Sequence, residues 1–236
     1  MNKTYDKRFD GRKFDEIRPM EAKVGVVPRA NGSAMFRIGG TIAIAAVYGP
    51  KELYPAFMQD PTKGILRCDY NMFAFSGAGD RVKPGGNRRS KEISMVTEKA
   101  LIPMLDLSAY SGAVVDVSIE LIQTDAGTRC AGITAAALAL ADAGIPMKDL
   151  VTAVSVGKVE DKLIVDLNYE EDSYPEGVDL PVAMATRTGE ITLLQMDGRL
   201  TKEELKKLLE MAKKACADIK EVQIKALKEK YSLGGK

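Results

Sequence analysis

Residues 115–144, VDVSIELIQTDAGTRCAGITAAALALADAG, decide the fold of this 236-residue chain. From Val115 to Leu121 an apolar side chain stands at every second position, which predicts a strand with one buried face. An alanine-rich run then predicts a helix over residues 131–143, ended by Gly144. A strand is therefore followed at once by a long helix.

The junction between these two elements, residues 123–129, has the composition of an anion-binding turn. Free N–H groups and the positive end of the dipole favour an anion at a helix start. Gly127 allows close approach of the backbone, and Thr128 and Arg129 add donors. An ordinary turn with a threonine N-cap and a surface arginine also explains these residues, so the junction alone does not decide between the two.

A second cationic segment, residues 81–91, is a glycine-rich loop with five cationic side chains. It leads into an apolar spacing that predicts a helix over residues 88–105. Cations are unfavourable at the positive end of a helix dipole, so Arg88 and Arg89 fit best around a bound anion. A solvated basic loop is the alternative.

Six carboxylates fall within residues 166–179, which contain no Lys or Arg: Asp166, Glu170, Glu171, Asp172, Glu176 and Asp179. Such crowding is relieved by a divalent cation, or by a proton kept on one member, which then serves as a general acid. An acidic surface loop is the alternative. Two anion sites and one carboxylate cluster together predict phosphoryl-transfer chemistry.

The composition excludes several other chemistries. The chain has no histidine, which removes serine-histidine and cysteine-histidine relays and histidine-ligated metals. Its net charge is +1, so nucleic-acid binding would come from local patches. Three widely spaced cysteines argue against a disulfide framework and for a reducing compartment. With no apolar run of membrane-spanning length and a polar start at residues 1–12, we expect a cytoplasmic protein.

Further apolar patterns predict strands along the chain and one long helix at its end. The strands are expected at residues 22–27, 33–48 with a turn at Gly39 and Gly40, 65–75, 151–159, 162–167, 181–187 and 191–196. We expect the last four to form antiparallel hairpins. Thr201 and Glu204 have the spacing of a capping box before the final helix.

Strands followed by a helix, twice over, predict an α+β fold with two similar halves and mixed or antiparallel sheets. No internal sequence repeat accompanies the two halves. No linker separates them, so we expect an N-terminal arm at residues 1–12, one domain at 13–231 and a disordered tail at 232–236.

The chain resembles the RNase PH family, and most closely the catalytic subunits of the archaeal exosome. The resemblance covers residues 8–231 and rests on five short motifs. These are Arg8 with residues 10–12, Arg88 with Arg89, residues 125–129, residues 139–147, and residues 166–168 leading to 171–172. The resemblance implies an RNase PH-like fold and phosphate-dependent 3′-to-5′ degradation of RNA to nucleoside diphosphates, with tail addition as the reverse reaction.

Roles for the cationic residues follow from the resemblance. Gly127, Thr128 and Arg129 would hold the attacking inorganic phosphate at the helix start. Arg89 would bind that phosphate or the RNA backbone, and Arg88 would bind the RNA backbone near the scissile bond.

The resemblance also implies roles for two carboxylates. Asp172 would be the acid near the leaving 3′ oxygen and Asp179 its partner, the two sharing a magnesium ion. They are seven residues apart where the family usually has six, so Glu176 is an alternative to Asp179. Arg67 would contact RNA upstream of the cleavage point, but Asp69 stands where close relatives often carry a second basic residue.

The implied partners are single-stranded RNA, a related inactive RNase PH-like subunit that completes a hexameric ring, and RNA-binding cap proteins, with no membrane partner. Three other functions stay open. One is a self-assembling RNase PH that trims transfer-RNA ends. Another is a non-catalytic ring subunit that binds RNA, and the last is a metabolic enzyme with some other phosphorylated ligand.

Overall fold

The computed structural model describes residues 5–78, 82–83 and 86–232, so Arg81, Pro84 and Gly85 of the basic loop and most of the predicted tail lie outside the described residues. Its strands are β1 (Met20–Val24), β2 (Gly32–Ile38), β3 (Thr41–Glu52), β4 (Ile65–Met72), β5 (Ala113–Gln123), β6 (Val151–Val159), β7 (Lys162–Val165), β8 (Val178–Ala185) and β9 (Glu190–Leu194). Its helices are α1 (Arg88–Leu101), α2 (Thr128–Asp142), α3 (Tyr169–Asp172) and α4 (Lys202–Tyr231). The predicted α+β class is confirmed.

The first sheet has the strand order β1, β2, β3, β5, β4 and is antiparallel except for the parallel pair of β4 and β5. α1 connects these two strands and packs on β4, as a parallel pair requires a crossover connection. The predicted alternation is confirmed, because the apolar side chains from Val115 to Leu121 in β5 are buried and the polar ones between them are only partly buried.

The second sheet has the order β7, β6, β8, β9 and is entirely antiparallel, which confirms the two predicted hairpins. β6 and β8 approach closely at Gly157, where a Cβ atom would lie 1.9 Å from the carbonyl oxygen of Val178. The register places Gly157 opposite Asp179. Glycine at this position therefore lets the strand end that carries Asp179 close onto β6.

α2 lies between the two sheets and packs against β2 and β3 of the first and β6 of the second. All of its residues are buried except Arg129 and Ala141. A helix that is apolar on every side belongs in a core, and the alanine-rich sequence lets both sheets come close to it. The two halves thus share one continuous apolar core.

Several boundaries differ from the prediction. α1 ends at Leu101 and is followed by a 3-10 turn, Ile102–Met104, because Pro103 has no N–H to continue an α-helix. α2 begins at Thr128, which places Arg129 in its first turn. The capping box of α4 is confirmed by reciprocal side-chain and backbone hydrogen bonds between Thr201 and Glu204. Within the described residues, no helix has an apolar stretch that could cross a membrane.

Candidate active site

A cavity opens where the two halves meet, in front of the N-terminus of α2. The first half lines it with Arg89 of α1 and residues 126–130, and the second half lines it with Asp172 and Asp179. An adjoining depression shares Arg89 and both aspartates and extends to Asp197. We call these two connected spaces the junction cavity. Its wall brings together the predicted phosphate-binding turn and the two predicted acids.

The start of α2 is built to receive an anion. Gly127 is the N-cap and has the left-handed φ of 61°, with no side chain capping the helix. The threonine-capped turn is therefore wrong, because Thr128 is the first helical residue. Among the described residues, nothing accepts a hydrogen bond from the N–H groups that open this helix. These donors and the helix dipole point into the junction cavity.

Arg129 extends this anion site with its side chain. Its Nη1 donates to Oε1 of Gln195 at 2.5 Å, which fixes the guanidinium against the strand end after β9. Its Nε is buried and has no partner among the described residues. A buried donor without an acceptor is costly, and a bound phosphate oxygen would satisfy it.

The structure separates the two predicted arginines at the start of α1. Arg89 lines both parts of the junction cavity, whereas Arg88 is exposed and lines neither. Asn87 caps the helix by accepting from the N–H of Ser90 at 2.8 Å, so this helix start, unlike that of α2, has a side-chain cap of its own. Arg89 thus belongs to the same site as Arg129, and RNA binding by Arg88 stays a prediction.

Asp172 and Asp179 reach the junction cavity from different elements. Asp172 is the last residue of α3, and Asp179 lies in β8 and accepts from the hydroxyl of Ser155. The pKa of Asp179 is raised to about 6, chiefly by burial and also by the neighbouring charges of Asp172 and Asp197, against the lowering effects of the Ser155 hydrogen bond and of Arg129. Partial desolvation also raises the pKa of Asp172, although the residue is exposed as a whole and Arg89 and Arg129 lower that pKa.

The predicted crowding of six carboxylates is wrong for the group as a whole. Glu171 is fully buried against Arg8, and Asp166 is fully paired with Arg18, so these two acids are structural. Glu176 is exposed and lines a different cavity. The geometry accordingly favours Asp179 over Glu176 as the second acid of the site.

Asp197 and Gln195 are residues of the junction cavity that the sequence analysis missed. Both follow β9, and Asp197 reaches the cavity because its backbone pairs with that of Asp179. An acidic residue beside Gly198, directly after a predicted strand, is the only local sequence signal for it. Such a signal is common in turns, so only the sheet pairing reveals its role.

Arg67 lies outside the junction cavity. It is exposed on β4 and makes a two-pronged hydrogen bond to Asp116 of β5, with distances of 2.6 and 3.0 Å. Lys51 binds the same carboxylate at 2.7 Å. These residues line a separate depression on the outer face of the first sheet together with Asp69. The role of Arg67 in binding RNA away from the reacting bond stays a prediction.

The donor set is suited to a magnesium ion that arrives with phosphate. The described residues include no group of three or more acidic or thiol side chains placed to hold a metal. Magnesium is commonly held by one or two carboxylates together with phosphate oxygens and water. Asp172 and Asp179 stand beside the anion-binding end of α2, which fits that mode of binding.

Known proteins resemble this chain over most of its length. "Exosome complex component Rrp41" of Pyrococcus furiosus is 54% identical over 95% of this chain and 89% of that protein. The protein of the same name from Methanopyrus kandleri is 50% identical over 95% of this chain and 93% of its own length.

Two solved structures share the fold. Rice Rrp46 superposes with a TM-score of 0.83 at 24% identity, over 94% of this chain and all of that one. A chain of the Archaeoglobus fulgidus exosome, solved with RNA bound to the active site, superposes with a TM-score of 0.77 at 24% identity, over 92% of each chain. The same arrangement of the two halves therefore occurs in solved structures of other proteins.

Family profiles divide the chain at the same place as its two sheets. Residues 16–146 match domain 1 of the 3′ exoribonuclease family, and residues 149–215 match domain 2. The resemblance seen in the sequence motifs is confirmed by these matches and by the relatives. The chain belongs to the RNase PH family of 3′ exoribonucleases.

Proposed function

We propose that this protein is the catalytic subunit of an exosome of the archaeal type. In this proposal it removes nucleotides from the 3′ end of single-stranded RNA by phosphorolysis, releases nucleoside diphosphates, and adds tails in the reverse reaction. The relatives at 50 to 54% identity are exosome components by name, and this supports the assembly. The chemistry is argued from the junction cavity.

The observation that carries the proposal is the anion site that faces two acids. The uncapped start of α2 and the unpartnered Nε of Arg129 provide donors for an inorganic phosphate. Arg89 adds a positive charge to the lining of the same cavity. Phosphate and the RNA phosphodiester are both anions, and fixed donors compensate their repulsion without reorganising during the reaction.

In the proposed reaction, an oxygen of inorganic phosphate attacks the phosphorus of the terminal phosphodiester. The bond to the 3′ oxygen of the preceding nucleotide breaks, and the product is a nucleoside diphosphate. The leaving 3′ oxygen takes a proton, and we assign the donor to Asp172 because the family resemblance gives it that role and because it lines the junction cavity. Burial raises the pKa of Asp172 above that of an ordinary aspartate, which is the direction that a general acid requires.

Asp179 supports this proton transfer from the second sheet. Its pKa of about 6 allows it to exchange protons near neutral pH. In their ionised forms, Asp172 and Asp179 would hold the magnesium ion, which would supply charge neutralisation at the phosphates; the protonated form of Asp172 would act as the acid. Ser155 orients Asp179 by donating its hydroxyl hydrogen.

The proposed partners are a related inactive RNase PH-like subunit, with which this chain forms a hexameric ring, and RNA-binding cap proteins. A self-assembling RNase PH and a non-catalytic ring subunit are the competing functions. Retention of Arg129, Asp172 and Asp179 around one cavity argues against a scaffold. We place the protein in the cytoplasm, and its three buried free cysteines suit a reducing compartment.

The test is the fate of a 3′-labelled, unstructured RNA with the full-length protein and magnesium. The reaction is run with and without inorganic phosphate, and with the protein alone or assembled with its ring partner. Diphosphate release that needs both phosphate and partner supports the exosome function. Release by the protein alone supports a self-assembling RNase PH, and no release from assembled protein supports a scaffold.

A further inference from the structure

We propose that Arg8 is a positioning residue, which holds the acid-bearing helix α3 in place through its buried pair with Glu171. This inference rests on the proposed function, because it concerns the placement of Asp172 in the junction cavity. Arg8 itself lines no part of that cavity. It belongs to the N-terminal segment, far from α3 along the chain.

α3 cannot hold its own position. It has four residues, Tyr169–Asp172, and isolated helices of that length are not stable. Its internal support consists of the capping box between Asn168 and Glu171, with hydrogen bonds of 3.0 Å in both directions, and of two backbone hydrogen bonds, from Asp172 to Asn168 and from Ser173 to Tyr169. Contacts from other elements must therefore fix the orientation of the turn that ends in Asp172.

Arg8 supplies the strongest of these contacts. Its guanidinium donates to both carboxylate oxygens of Glu171, at 2.8 Å from Nε and 2.7 Å from Nη2. Both side chains of this pair are completely inaccessible to solvent. The same guanidinium donates at 2.8 Å to the carbonyl oxygens of Val165 and Asp166. One planar group thus ties α3 to the end of β7 with fixed geometry.

Tyr5 reinforces the pair from the same segment. Its hydroxyl donates to Oε1 of Glu171 at 2.6 Å. Its ring packs against Phe14 and Tyr174, in a small apolar cluster that is separate from the main core. The N-terminal segment and α3 therefore form a local unit whose loss need not disturb the core around α2.

The other end of α3 is fixed to the phosphate-binding turn. The N–H of Tyr169 donates to Oδ1 of Asp125 at 3.0 Å. α3 is thus held at Tyr169 by the first half and at Glu171 by Arg8, and Asp172 follows directly after the second of these anchors.

Among the described residues, Arg8 makes no hydrogen bond to Gly127 or Arg129 and is linked to their turn only indirectly, through Asp166, Arg18 and Asp125. Its loss should therefore displace the acid much more than the phosphate site.

The test compares kcat and the KM for phosphate in the assembled full-length protein. Arg8→Lys keeps the charge but loses the planar fork, and we expect kcat to fall about 10-fold to 100-fold, the effect of a displaced reacting group. The KM for phosphate should stay within about twofold, because the cradle at α2 is unchanged. Tyr5→Phe removes a single donor to Glu171 and should lower kcat less.

Lys220→Met is the matched control. It removes an equally short ion pair, to Asp149 at 2.6 Å, that holds α4 and touches neither α3 nor the cavity. It should lower thermal stability and leave kcat unchanged. The positioning role would be overturned if folded Arg8→Lys and Tyr5→Phe proteins had the kcat of the wild type. It would also be overturned if the variants changed kcat and the KM for phosphate by the same factor.

Hydrogen exchange separates this inference from the proposed function. In Arg8→Lys we expect faster exchange of the amides of Asp172 and Ser173, which donate to the carbonyls of Asn168 and Tyr169, and unchanged exchange in α2. That result supports positioning even if the wild-type protein releases no diphosphate. Unaltered exchange at Asp172 in a folded variant contradicts positioning, whatever the activity shows. If Arg8→Lys does not fold, the same readouts on Tyr5→Phe decide.

Discussion

The backbones of Asp179 and Asp197 pair with each other, each N–H donating to the other's carbonyl oxygen at 3.1 and 2.9 Å. This bridge keeps a second carboxylate beside Asp179, and burial together with the neighbouring acids raises the pKa of Asp179 to about 6. A carboxylate whose charged form is disfavoured in the folded state costs stability wherever it is ionised.

The first prediction concerns stability and pH. The pKa of Asp179 is about 6 in the folded protein against 3.8 for the ordinary group. Its contribution to the free energy of unfolding is therefore complete below about pH 4 and is lost as the pH rises through about 6. Asparagine carries no charge at any of these pH values, so Asp179→Asn does not lose stability as the pH rises. The variant should be more stable than wild type by about 2–3 kcal/mol at pH 7.5.

Denaturant unfolding at pH 4 and pH 7.5, without phosphate or magnesium, measures this difference. The stabilisation should nearly vanish at pH 4, where wild-type Asp179 is largely protonated in the folded state. A stabilisation of the same size at both pH values would show that charge on Asp179 is not its cause.

The second prediction concerns Arg129. Arg129→Ala removes the side-chain donors of the anion site, and loss of such preorganised donors typically costs about 10²–10³ in rate. Calorimetric binding of inorganic phosphate should weaken in parallel, with the fold unchanged. Arg37→Ala is the control, because Arg37 is exposed on β2 and donates only to the carbonyl of Gly39. Equal phosphate affinity in the two variants would show that Arg129 does not bind the phosphate.

The third prediction separates proton transfer from phosphate binding. Asp172→Asn keeps the shape of the side chain and removes the acid, so kcat for phosphorolysis should fall about 10²–10⁴-fold. Phosphate should bind no more weakly than in wild type, since a negative charge near the anion is lost. Glu170→Gln, on the same helix but exposed and outside the cavity, should stay active. Near wild-type release by Asp172→Asn would end its assignment as the acid.

The fourth prediction concerns the backbone of the phosphate-binding turn. Gly127 and Gly189 have similar left-handed φ angles, 61° and 74°, and alanine at either position should cost about 1–2 kcal/mol of stability. Only Gly127→Ala should also weaken phosphate binding, because Gly189 lies in the β8–β9 turn, away from the cavity. If both variants bind phosphate as wild type does, the conformation of Gly127 does not shape the anion site.

Local patterns predicted the parts of the site that one short segment encodes. The alternating residues of β5 are followed within a few positions by Gly127 and Arg129. Their spacing alone indicates a strand, a turn and an anion-binding helix start. The capping box of α4 is equally local. These features depend on neighbours within about one helical turn.

The parts that could not be predicted depend on pairing between distant segments. Asp166 and Glu171 looked like members of a free acidic cluster because their partners, Arg18 and Arg8, are more than 140 residues away. Asp197 enters the site only because its backbone pairs with β8. A high number of acidic residues in one segment is thus a poor guide to a functional acidic cluster, because tertiary contacts can pair those residues with distant arginines.

Because α2 is buried against both sheets, the main apolar core belongs to both halves at once. The division between residues 146 and 149 that separates the two family domains therefore does not divide this core. We expect the half with the anion site and the half with the two acids to unfold together, because opening either one exposes α2 to water. On that expectation, the two sides of the junction cavity are assembled in a single folding step.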